Sequence, residues 1–143
     1  VRYELLQYEH EPGAESYGLE AAAALDQAPG QVFKTLVTRI DGARLAVAVV
    51  PVDRTLDLKR FASATHAKRA DLAPALEAER ATGYVLGGIS PLGQRKRLRT
   101  VVDASAQAFD RIYVSGGKRG LEIALAPDDL LALTGGSYAA ISR

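Results

Sequence analysis

The sequence predicts an α+β domain in which helices cover a curved mixed β-sheet, and three observations lead there. Strand-like runs come in pairs or singly rather than in regular alternation with helices, which removes the repeating unit of a doubly wound parallel sheet. Asp41-Gly42 stands between two apolar runs, the signature of a tight hairpin. Short alanine-rich stretches that favour helix are interleaved with the strands. The 143 residues and 48% apolar content suit one compact domain spanning residues 1–143, undivided by any linker, internal repeat or low-complexity tract.

Taken in order, Tyr3 to Tyr8 has the aromatic and aliphatic content of a strand, and His10 to Ser16 carries Pro12 and Gly13 as loop punctuation. Ser16 can cap a helix from Tyr17 to Leu25, where Glu20 and four alanines favour it and Pro29-Gly30 ends it. Gln31 to Ile40 and Arg44 to Val50 read as antiparallel strands about the Asp41-Gly42 turn. Leu58, Phe61, Ala62 and Thr65 fall at helical spacing within Asp57 to Ala70, and Pro74 to Thr82 is a second short helix. Strands are expected at Leu98 to Asp103, Arg111 to Ser115 and Leu121 to Leu125. Pro127-Asp128-Asp129 opens a helix, and Ser137 to Ile141 makes a last short strand.

Composition limits the function. With 18 Lys+Arg against 17 Asp+Glu, the net charge of +1 lacks the broad positive coat of a protein that wraps long duplex, so any nucleic-acid contact is local. The absence of cysteine removes disulfides, thiolate metal sites and a cysteine nucleophile, and fits a reducing cytoplasm. No apolar run approaches the roughly 18 residues of a membrane span, and no basic-then-apolar leader precedes the first strand. The expected setting is therefore cytoplasmic, with no membrane contact. The chain begins at Val1 rather than Met.

Two glycine-rich loops stand out: Gly83 to Gly93, which runs into Arg95, Lys96, Arg97 and Arg99, and Ser115-Gly116-Gly117-Lys118-Arg119-Gly120. Glycine lets a backbone approach a ligand closely, and the adjoining cations suit phosphate. The same features also describe tight turns and a solvated charged face. Neither loop has the spacing of a dinucleotide-binding or Walker motif. In the strand Gln31 to Ile40, alternation puts Lys34 on one face with Val32, Leu36 and Ile40, and Phe33, Thr35 and Val37 on the other. An ammonium among aliphatic neighbours either snorkels to water or sits at a wet cleft facing a ligand phosphate, hydroxyl or carboxylate. His10 and His66 are the only histidines and lack paired ligand spacing, so no metal is expected. His10 is either a solvated loop residue or one that orients the loop or a ligand. Ser90 and Ser115 have no neighbouring histidine and no nucleophile-elbow pattern, which suits them to hydrogen bonding.

Gly83-Tyr84 through Gln94, Tyr113 through Leu121 and Val32-Phe33-Lys34-Thr35-Leu36 together resemble the bacterial YbaK/EbsC family across nearly the whole chain. Tyr8-Glu9-His10 and Tyr17-Gly18 match further family positions, with Tyr17 where members often have phenylalanine. The family usually has a helix ahead of the first strand, which this sequence lacks. The resemblance implies a barrel-like curved sheet flanked by helices, and a trans-editing deacylase related to the insertion domain of bacterial prolyl-tRNA synthetase. Such an enzyme removes cysteine mischarged onto tRNA for proline and needs no cofactor. The substrate thiol attacks its own ester, and glycine-loop amides support the charge on the carbonyl. By the same resemblance Lys34 and Gly88 are catalytic, and Tyr8, Tyr17, Gly87, Ile89, Ser90, Pro91, Ser115 and Glu122 line the substrate pocket. Arg97, Lys118 and Arg119 meet acceptor-end phosphates, and prolyl-tRNA synthetase is the implied protein partner. Two alternatives remain at this level: a deacylase for another small amino acid on the same tRNA, and a noncatalytic module that grips aminoacyl-tRNA or a synthetase.

Overall fold

Hydrophobic alternation and turn chemistry build most of the chain. A computed structural model describes residues 1–11 and 16–143. Its strands are β1 (Tyr3–Gln7), β2 (Phe33–Ile40), β3 (Arg44–Pro51), β4 (Ala70–Leu72), β5 (Arg99–Asp103), β6 (Ile112–Ser115), β7 (Leu121–Leu125) and β8 (Ser137–Ala139). The helices are α1 (Tyr17–Ala24), α2 (Leu58–Ala64), α3 (Ala75–Thr82) and α4 (Pro127–Thr134). Ser16 caps α1 by accepting from Leu19 N–H, and Asp57 caps α2 by accepting from Arg60 N–H. Asp41 and Gly42 both take positive φ, 51° and 67°, in a three-residue loop where Ala43 N–H donates to Ile40 C=O and the strands turn back on each other. The β2–β3 pairing that follows is antiparallel from Phe33↔Pro51 to Ile40↔Arg44. Among the described residues, no helix is long and apolar enough to cross a membrane.

The strands form two sheets. One is antiparallel, in the order β1-β7-β6; the other is mixed, in the order β4-β2-β3-β5-β8, with β3-β5 and β5-β8 parallel. Strand β3 is apolar on both sides because both sides are covered. Ala46, Ala48 and Val50 pack with Phe61 and Ala62 of α2 and with Ile141. Val47 and Val49 pack with Phe33 and Val102, against Ile112, Val114 and Leu125 of the smaller sheet and Leu130 of α4. Ala21 and Ala22 lay α1 against Val32, Val52, Tyr113 and Ala124. A single parallel bridge, Val32↔Tyr113, joins the two sheets at the start of β2.

Several expectations need correction. The sheet is neither single nor closed: two open sheets pack together, so the α+β class holds while the barrel-like description does not. The helix expected to reach Ala70 stops at Ala64, because Thr65 turns its hydroxyl back onto Phe61 C=O and His66 enters the left-handed region at φ 58°. Asp41 then accepts from Lys68 and Arg69 N–H, and Ala70–Leu72 continues as the edge strand β4. A 3₁₀ turn at Pro29–Gln31 delays β2 to Phe33, and another at Ala104–Ala108 follows β5. The last strand is shorter than expected, ending at Ala139. The loop expected at Pro12 and Gly13 lies outside the described residues.

Candidate functional site

The site begins with an incomplete strand pairing. β4 pairs β2 only at Thr38, Arg39 and Ile40, so Phe33 to Leu36 keep one edge without a partner strand. A cavity of about 320 Å³ opens against that edge. Phe33, Lys34, Thr35 and Leu36 form its floor, Ser115 and Glu122 enter from the smaller sheet, and Tyr17 with Gly18 comes from the start of α1. Leu86, Gly87 and Ile89 close it from the first glycine loop. Both faces of β2 contribute because the hollow wraps the strand edge, which strict alternation could not anticipate.

Burial makes the polar groups here reactive to a ligand. Desolvation pulls the Lys34 ammonium below its usual range, with Asp53 partly restoring it, and among the described residues Lys34 forms no ion pair. Glu122 is 6% exposed, and burial pushes its carboxyl up to about 8. Among the described residues Glu122 Oε2 and Thr35 Oγ1 have no hydrogen-bond partner. Both residues line the cavity, so unmade hydrogen bonds are concentrated where a ligand would sit. Register places Glu122 directly opposite Ser115 on β6, whose Oγ accepts from Gly117 N–H at 3.2 Å.

The two glycine loops meet at this cavity. A Cβ on Gly88 would lie 2.7 Å from Lys118 Cα and 2.9 Å from Lys118 C, so the loops touch backbone to backbone. Gly87 has φ 84°, and a side chain there would strike Tyr17 and Arg119 at 2.8 Å. Arg119 Nε donates to Leu86 C=O at 2.9 Å while its guanidinium lies 4.7 Å from the Tyr17 ring centre. Tyr17 also faces the His10 ring, 5.6 Å away. His10 Nδ1 sits 2.6 Å from Glu20 Oε1, and Glu11 N–H donates to the other oxygen. Against desolvation, these hydrogen bonds hold the Glu20 carboxyl below its usual range. His10 is thus paired rather than free in solvent, and with Glu11 it is tied to Glu20 of α1.

Lys34, Tyr17, Gly87, Ile89, Ser115 and Glu122 line one cavity, while other expected residues stand elsewhere. Gly88 N–H donates to Val85 C=O at 2.9 Å, so that amide is committed to the turn. The neighbouring Gly87 and Ile89 N–H groups have no acceptor among the described residues. Ser90 is 1% exposed and turns its hydroxyl to Leu92 N–H; Pro91 is buried beside it, away from the cavity. Tyr8 packs behind the cavity with the α1 cluster, its phenol raised by burial and then by the carboxyls of Glu122 and Glu20. Lys118 and Arg119 stay at the cavity's loops, but Arg97 lies against Gly135 at the end of α4. The proposed phosphate trio is therefore split. Sequence reasoning did not name Phe33, Thr35, Leu36 and Leu86 as pocket residues, although the Val32–Leu36 and Gly83–Gln94 motifs that carry the resemblance contain them.

Against known proteins, the aminoacyl-tRNA editing domain family matches residues 11–133. The chain belongs to that family. It is 41% identical over 129 residues to EbsC of Enterococcus faecalis, provisionally named a Cys-tRNA(Pro)/Cys-tRNA(Cys) deacylase, covering 90% of this chain and 74% of that protein. It is 31% identical over 108 residues to the multifunctional Ser/Thr-tRNA deacylase ProXp-y of Escherichia coli, covering 73% of this chain and 65% of that protein. Among solved structures, a proposed trans-editing enzyme for prolyl-tRNA synthetase superposes with TM-score 0.86 at 24% identity, over 99% of this chain and 87% of that one. A hypothetical protein superposes with TM-score 0.88 at 25% identity, over all of this chain and 93% of the other. These structures share the editing-domain fold. The resemblance read from the glycine loops and the Lys34 strand is thereby borne out at the level of family and deacylase class.

Proposed function

We propose that this editing domain works in the cytoplasm as a deacylase that clears cysteine mischarged onto tRNA for proline. The observation that carries this reading is the 320 Å³ cavity lined by a half-buried Lys34, a buried Glu122, Gly87 and Ile89, whose ammonium, Oε2 and N–H groups have no partners among the described residues. Its volume suits one small amino acid joined to a ribose. Lys34 holds the terminal adenosine through a phosphate or hydroxyl, and Glu122 takes the α-ammonium, becoming an anion as the cation enters. Gly87 and Ile89 N–H groups, rather than that of Gly88, face the developing oxyanion. The substrate thiol attacks its own ester carbonyl, the S–C bond forming as the ester C–O bond breaks, and the proton lost by the thiol ends on the departing ribose oxygen, giving free tRNA and a thiolactone. Positioning does the rest, since an intramolecular attack gains most from a fixed geometry. Prolyl-tRNA synthetase is the partner that would lend tRNA choice.

A second reading is favoured by Thr35, a residue of the same cavity lining as Glu122, whose buried Oγ1 has no partner among the described residues. A hydroxyl-bearing side chain would satisfy both atoms, which makes serine the competing cargo. One deacylation panel separates the readings. Cysteinyl-tRNA is expected to turn over fastest, and S-methylcysteinyl-tRNA to persist; rapid loss of the methylated substrate would overturn thiol attack. Seryl-tRNA cleared faster than cysteinyl-tRNA would favour the serine reading.

A further inference from the structure

A second concavity, about 850 Å³, lies away from the candidate site. Three separate elements build it: the β2–β3 turn, α3, and the segment entering β5. Each contributes cations, namely Arg44, Arg80, and the group Lys96, Arg97 and Arg99. All five are exposed, and among the described residues none forms an ion pair. The lone carboxylate in the lining, Glu77, is already bonded to Arg39. On a chain whose total charge is +1, five unneutralised cations in one hollow are a concentration that like-charge repulsion opposes. The basic segment is also held in place: Arg95 and Lys96 N–H donate to Thr82 and Ala81 C=O at the end of α3, and Arg99 reaches the Ala64 and Thr65 carbonyls. A fixed, multi-element cationic hollow fits a run of phosphates better than a single small anion.

We propose that this hollow seats the phosphate backbone of the RNA whose charged end occupies the candidate site. Strand β2 links the two places: Lys34 lines the cavity and Ile40 lines the hollow. Six residues of strand separate them by about 20 Å, several nucleotides from the reacting end. The contacts go to phosphate and carry no sequence information, which matches the absence of aromatic side chains from the lining. The inference rests on the editing reading for its choice of RNA, and it moves the principal stem contact from Lys118 and Arg119 to a surface those residues do not touch.

The test uses the triple variant Arg44→Glu, Arg80→Glu, Lys96→Glu, with the matching triple alanine variant and a circular-dichroism melt as a check on folding. Substrates are cysteinyl-tRNA and a cysteinylated CCA trinucleotide, too short to span to the hollow. For the charge reversal, KM toward cysteinyl-tRNA is expected to rise at least tenfold with kcat retained, while the trinucleotide is cleaved as before. The slope of log affinity against log salt for uncharged tRNA should fall by about two to three, as loss of three phosphate contacts requires. An unchanged KM and slope would overturn the proposal, as would equal loss on both substrates, which would place these residues in the reaction itself. If the unaltered protein cleaves neither substrate, the editing reading fails while the salt slope for uncharged tRNA still decides on the hollow. Should the reversal disturb the melt, the alanine triple provides the same comparison.

Discussion

Lys34 shows how a residue can be conspicuous in sequence and decided only by its surroundings. An unpaired ammonium that burial has pulled below its ordinary range adds little to stability, because no ion pair offsets its desolvation. Lys34→Ala is therefore expected to cut deacylation at least a hundredfold while leaving the melting temperature within about 2 °C. Deacylation retained by a variant with an unaltered melt would remove Lys34 from the mechanism. Glu122 makes an opposite, pH-dependent prediction. Its carboxyl titrates near 4.5 in an unfolded chain and at about 8 when folded, so between those values the native state holds a proton the unfolded chain has released. Stability then falls as pH rises through that window, by up to several kcal/mol at about 1.4 kcal/mol per unit, and levels off above pH 8. Glu122→Gln should flatten this dependence and exceed the parent in stability at pH 9; parallel denaturation curves for the two proteins at pH 5 and pH 9 would refute it.

At the scale of elements, the contact between the two glycine loops depends on the missing side chain of Gly88. A methyl there meets Lys118 backbone, not a flexible side-chain tip, so one loop must move. Gly88→Ala is expected to cost about 1–3 kcal/mol, as overpacking does, and to lower deacylation of even a trinucleotide substrate by displacing the Gly87 and Ile89 amides. Unchanged stability and activity would mean that the loops separate freely. Both loops, the hairpin at Asp41-Gly42 and the capped helices were readable because their signals are local: positive φ, a capping side chain, a period. The end of α2 was not, since the helical spacing runs on past Thr65 and only the Asp41 carboxylate, 27 residues away from Lys68 in sequence, captures the backbone that follows.

For the molecule as a whole, closure depends on Asp103, which is 3% exposed at the end of β5. It accepts from Ile141 and Ser142 N–H at 3.0 and 3.1 Å and from the Ser105 hydroxyl, and so pins the last residues across α2 and β3. Burial pushes this carboxyl up, but the bonds from Ser105, Ile141 and Ser142 outweigh it and hold the group below its usual range. Its contribution is thus present above the ordinary carboxylate range and lost as acid protonates the folded form. Asp103→Ala strands two buried N–H groups and should cost about 2–4 kcal/mol by urea denaturation at pH 7. A loss under 0.5 kcal/mol would show that the C-terminal segment is held by its apolar contacts alone.

The sequence by itself determined the α+β class, the hairpin, the capped helices and the family, because each is written in neighbouring residues or short motifs. Only the tertiary structure decided that two open sheets meet rather than one closing sheet, that Ser90 and Pro91 stand outside the pocket lining while Thr35 belongs to it, and that Arg97 stands with Arg44 and Arg80. Those outcomes depend on where β4 stops pairing with β2 and on which distant segments fill the gap. Contacts between residues far apart along the chain leave no periodic trace within it.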